Sequence, residues 1–63
     1  MSVQVLDRQI RRNDRVIFSE DTWSNRPTVG RVVEFRGSAR ALVEWPWGSD
    51  WEYVEELRPA VGR

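Results

Sequence analysis

The chain has no cysteine, no histidine and no lysine, and each absence removes a class of chemistry. Without cysteine there is neither a disulfide framework nor a thiolate nucleophile. Without histidine there is no imidazole base, and the two absences together remove the usual zinc ligands. Without lysine there is no amine for Schiff-base chemistry, and all ten cations are arginines. That bias points to a GC-rich coding sequence of the kind found in bacteria and their phages. No apolar run approaches the ~20 residues of a membrane-spanning helix. Residues 1–7 lack the basic region and apolar stretch of a signal peptide. The expectation is a soluble, cytoplasmic protein without metal or cofactor that depends on packing alone for stability.

Net charge is zero, with ten arginines against ten acids, so the strongly basic footprint of a nucleic-acid binder is missing. The distribution is uneven. Residues 1–15 carry Arg8, Arg11, Arg12 and Arg15 against Asp7 and Asp14, four minus two, or +2. Residues 41–63 carry five acids against Arg58 and Arg63, two minus five, or −3. The expected meaning is a solvated charged surface.

Tryptophan is what the chain has in excess. It holds four in 63 residues, and Trp45, Trp47 and Trp51 fall within seven positions. A domain near this length buries only about 60% of the surface its unfolded chain exposes, so its interior cannot take up every indole. Some of this aromatic surface is expected to meet a partner. A chain that is 40% hydrophobic and 32% charged is globular in composition, and its length allows one domain.

Turn residues recur at short spacings that suit strands. Val16-Ile17-Phe18 follows the turn-like Asn13-Asp14 and leads into a polar loop over residues 19–28 that carries Trp23 and Pro27. Gly30-Arg31-Val32-Val33-Glu34-Phe35 reads as a strand, and Gly37 can supply the positive φ of a tight hairpin. Arg40-Ala41-Leu42-Val43-Glu44-Trp45 alternates, so Ala41, Val43 and Trp45 share the core face. Residues 46–50 read as the next turn and Trp51-Glu52-Tyr53-Val54 as the strand beyond it. Residues 55–58 suggest one helical turn before Pro59, with Ala60-Val61 as a last strand closing the barrel and removing its edges. The fold class expected is all-β: a small barrel of about five antiparallel strands with a short helical turn before the last.

Four stretches, Asp14-Arg15-Val16, Gly30-Arg31-Val32, Ala41-Leu42-Val43-Glu44-Trp45 and Leu57-Arg58-Pro59, resemble the SH3-like barrel family, particularly its Tudor-like and KOW-like members. The likeness spans residues 14–61 and fits the fold better than any one function. It implies a binding surface made by the loop over residues 19–28 and the turn over residues 46–50. Those segments hold Trp23 and Trp47. With Trp51 or Tyr53 they would form an aromatic wall flanked by Glu20, Asp21 and Asp50, a composition suited to a cationic ligand, as in Tudor-like domains that hold methylated side chains. An ordinary protein-contact patch is the commoner meaning of such aromatics. Trp45 and Trp51 are expected to pair across the hairpin as structural residues. Tyr53 is expected at the surface, with a bulge or change of face before Val54 and Leu57.

The leading expectation is therefore a non-enzymatic module that binds a protein or peptide. Nucleic-acid binding is the alternative, because the resemblance to KOW-like barrels implies it and arginines beside aromatics can hold phosphates and stack bases. Its candidates are Arg11, Arg12, Arg15, Arg26, Arg31, Arg36 and Arg40. A third reading is the plasmid-borne dihydrofolate reductase, an SH3-like enzyme built from four copies. The Val-Gln-Ile-Tyr segment of that family is replaced here by Trp51-Glu52-Tyr53-Val54, and no conventional acid–base pair is visible. Residues 1–12 read as an arm or extra strand preceding the barrel at 13–63. Val3, Val5, Leu6 and Ile10 would pack beneath the barrel or against a second copy in a homodimer.

Overall fold

A computed structural model describes residues 10–60. It is all-β: strands β1 (Arg15–Phe18), β2 (Gly30–Arg36), β3 (Arg40–Trp45), β4 (Gly48–Tyr53) and β5 (Leu57–Pro59) form one antiparallel sheet in the order β4-β3-β2-β1-β5. Short 3₁₀ turns at Ser19–Asp21 and Val54–Glu56 follow β1 and β4. Among the described residues no helix is long and apolar enough to cross a membrane.

Local sequence accounts for the hairpins. Valines and a phenylalanine make β2 a good strand, and the connection to β3 turns through Gly37 at φ +63°, where a Cβ would be strained. Register slips between Val32 and Glu34, so Val33 is the extra residue of a bulge. The β3–β4 turn is tighter than the sequence suggested. Trp45 already pairs with Gly48, leaving Pro46-Trp47 as a two-residue connection, and Gly48 takes a φ of +134°.

Apolar side chains from four strands meet in one cluster: Val16 of β1, Val32 of β2, Ala41, Val43 and Trp45 of β3, and Leu57 of β5, joined by Ile10 from the segment before the sheet. A flat sheet could not bring β3 and β5 together across β2 and β1, so the sheet curves around these residues. Gly30 permits the closest approach. A Cβ there would stand 2.5 Å from Val43 Cγ1 and 2.7 Å from Trp45 Cε3, well inside van der Waals contact.

Three expectations change at the C-terminal end. The 3₁₀ turn begins at Val54, and the last strand begins at Leu57, which pairs with Phe18. Ala60 extends that contact by donating its N–H to the Arg15 carbonyl at 2.9 Å. Val61, like Val3, Val5 and Leu6 of the arm, lies outside the described residues. The change of face between exposed Tyr53 and buried Leu57 is made by the 3₁₀ turn, with the β3–β4 register unbroken from Arg40–Tyr53 to Trp45–Gly48. Finally, β5 does join β1, but β4 and β5 end the sheet without pairing to each other. Among the described residues the barrel therefore is not closed by a β4–β5 pairing.

Candidate functional site

Three aromatic rings stack at one end of the sheet. Phe18 lies 4.5 Å from Trp45 between centroids with planes 20° apart, and Trp45 lies 5.5 Å from Trp47 at 11°. Phe18 is the last residue of β1 and Trp45 the last of β3. These strands are separated by β2, whose Gly30 pairs with Val16 and lies against the Trp45 ring, so the indole crosses a position without a side chain and reaches Phe18 two residues farther along β1. Trp47 follows two residues later and folds back onto Trp45. The middle ring is the most buried, with Trp45 only 3% exposed between half-buried Phe18 and Trp47, which is 62% exposed.

Both indole N–H groups are fixed by carboxylates. Trp45 Nε1 donates to Glu52 Oε2 at 3.0 Å and Trp47 Nε1 to Asp50 Oδ2 at 3.2 Å. Strand alternation puts Asp50 and Glu52 on the stack's side of β4. Beside Phe18 a cleft of about 180 Å³ is lined by Phe18, Ser19, Glu20 and Glu56. It is smaller than the roughly 300–1,000 Å³ of sites for drug-sized ligands, so it suits a single side chain. Among the described residues no three carboxylates converge as a metal-binding group.

The expected aromatic wall is divided in two. Trp47 and Asp50 meet at the stack, and Glu20 lines the adjoining cleft. Asp21 sits in the 3₁₀ turn, where its carbonyl accepts the Ser24 N–H at 3.0 Å. Trp23, just beyond, is 90% exposed and makes no ring contact with Trp47. Trp51 and Tyr53 are on the opposite face of β4, 37% and 48% exposed. They pair with Leu42 and Arg40, so Trp45 and Trp51 do not pair across the hairpin as expected. The two-residue turn sets a register in which one points inward and the other outward. The Arg36 guanidinium sits 4.8 Å over the Trp51 ring, and that of Arg40 sits 4.7 Å over Tyr53 while donating to its hydroxyl at 3.3 Å.

The outward face also collects four of the seven candidate arginines. Arg15 pairs with Arg31 and Arg36 with Arg40 across their strands, and Arg31 bridges to Glu44 at 3.2 Å. Arg11 and Arg12 sit in the turn before β1, where the Arg11 N–H binds Asp14 Oδ2 at 3.0 Å. Arg26 is in the long loop. Sequence reasoning left Phe18, Trp45, Glu52 and Glu56 out of the site. The available signal was Pro46, because a Pro-led two-residue turn after Trp45 brings Trp47 back onto it.

No protein-family model, no curated protein and no solved structure matches the chain.

Proposed function

We propose that the chain is a non-enzymatic binding module, an SH3-like barrel of the Tudor-like or KOW-like kind, that holds a protein or peptide by a cationic side chain at the stacked end. The observation that carries this reading is the stack itself: its outermost ring is largely exposed, and its indoles hold two carboxylates beside the rings. A guanidinium or ammonium group over an exposed ring gains about 0.5–1 kcal/mol, and about 2 or more when desolvated. Asp50, Glu52, Glu20 and Glu56 add Coulomb attraction from around the rings. Trp23 supplies further contact surface, since so exposed an indole is costly to leave in water. The setting proposed is the cytoplasm of a bacterium or phage-infected cell, in keeping with the cysteine-free, arginine-only composition. The test is a pull-down comparing the natural chain with the Trp23→Ala, Trp47→Ala double variant. Loss of the bound proteins is expected, and an unchanged set overturns the reading.

A second reading rests on a separate observation, the grouping of Arg15, Arg31, Arg36 and Arg40 with Trp51 and Tyr53 on the outward face. Such a face suits a single-stranded nucleic acid, with phosphates held by guanidinium groups and bases stacked on rings. It ranks below the first because Glu34 and Glu44 share the face and Arg31 is engaged by Glu44. Binding of this kind weakens steeply as salt rises; a salt-insensitive complex excludes it.

A further inference from the structure

Among the described residues the sheet has two edges, β5 and β4, and they are unlike. β5 is three residues long and ends in Pro59, which has no amide to donate, so it is a poor template for another strand. β4 is six residues long and unbroken. Among the described residues it pairs only with β3, so alternate residues direct their N–H and C=O groups to a side on which no described strand pairs. This row of donors and acceptors, unpaired by any described strand, matches an extended peptide. We infer that β4 accepts such a peptide as a sixth strand, and that the peptide carries basic residues at alternate positions. The inference rests on the protein-binding reading and specifies its partner.

Charge selects the occupant. Side chains on an added strand alternate between the two faces of the sheet. On the inward face they stand beside Asp50 and Glu52, at the same end as the exposed Trp47 ring, and there arginine or lysine gains both carboxylates and rings. On the outward face they stand beside Ser49, Trp51 and Tyr53, which suits uncharged residues. A second copy of β4 is disfavoured by the same charges, because antiparallel self-pairing would bring the two copies' Asp50 and Glu52 side by side, and like charges across strands are destabilising. Inward-pointing charge of this sort is a known guard against edge-to-edge association. The same two acids thus repel a second copy and attract a basic strand.

The test uses the full chain and a blocked peptide alternating lysine with threonine, its glutamate–threonine counterpart, and two backbone-methylated forms of the first. One form is N-methylated at every lysine, the other at every threonine. Residues whose side chains share a face also share an edge, so strand addition requires one methylated form to lose binding while the other keeps it. Expected with the lysine peptide is tenfold or greater slowing of hydrogen exchange at alternate β4 amides. The glutamate peptide should have no effect. Asp50→Lys should weaken binding at least tenfold, and so should Glu52→Gln, which keeps an acceptor for Trp45.

Equal binding of both methylated forms, still abolished by Trp47→Ala, would overturn strand addition and leave the cation site standing. The same division follows if the lysine peptide fails to bind while a methylated-lysine amino acid still quenches Trp47 fluorescence. If neither ligand binds, both readings fall. Protection of β4 amides in the chain alone at high concentration would assign the edge to a second copy and overturn the inference.

Discussion

β3 and β4 are the two arms of one hairpin, each six residues long and fully paired with the other, yet they do opposite work. β3 places Ala41, Val43 and Trp45 in the interior. β4 has no buried residue: Gly48, Asp50 and the half-buried Glu52 are on its inward side, and Ser49 with the exposed Trp51 and Tyr53 on its outward side. In a domain this small, where a core rarely supplies more than ~3–5 kcal/mol, a strand that adds no apolar burial is conspicuous. The contrast teaches that stability is concentrated in β1, β2, β3 and β5, while β4 is carried by β3 and is left to present side chains.

The division should break most visibly at Trp45. Truncating a buried aromatic costs ~3–5 kcal/mol, as much as the whole core is worth, so Trp45→Ala is expected to be unfolded at room temperature by circular dichroism. A cooperative melt near that of the natural chain would mean that the stack adds little to the fold. Gly30→Ala comes next. Its added methyl collides with Val43 and Trp45, and overpacking of this kind costs ~1–3 kcal/mol. Chemical denaturation should show a lower midpoint with an unchanged slope.

On the β4 side the effects pass from stability to binding. Trp47→Ala removes one stacked ring, worth ~0.5–1.5 kcal/mol, and should lower the melting temperature modestly while abolishing capture of a cationic peptide. A large loss of stability would move Trp47 from the binding surface into the structural core. Smallest is Arg31→Ala. The Arg31–Glu44 pair is exposed on both sides, and surface pairs of this kind contribute ~0–1 kcal/mol; a melt shifted by much more would show that the outward face carries structural weight.

Much of the fold was legible in the sequence because alternation is a local signal. The core face of β3 could be read from the spacing of Ala41, Val43 and Trp45, and the β2–β3 hairpin from Gly37. The site was less legible because it depends on non-local geometry. Nothing near Phe18 in sequence says that a tryptophan 27 positions later (45 minus 18) will lie on it; that follows from Gly30 standing between them in the sheet. Trp51 and Tyr53 were grouped with Trp47 because the turn was read as five residues. With a two-residue turn, the parity of β4 sends them to the other face. Leu57 was read as part of a helical turn over residues 55–58 before Pro59, whereas its pairing with Phe18 makes it strand.

The four indoles give four separate N–H signals, so one titration tests the binding surface directly. On adding a peptide that carries arginine or methylated lysine to the isotope-labelled chain, the Trp47 and Trp45 indole resonances should shift along one saturation curve while Trp51 stays in place. A shift confined to Trp51, or none at any indole under saturating peptide, would contradict the assignment of recognition to the stacked end.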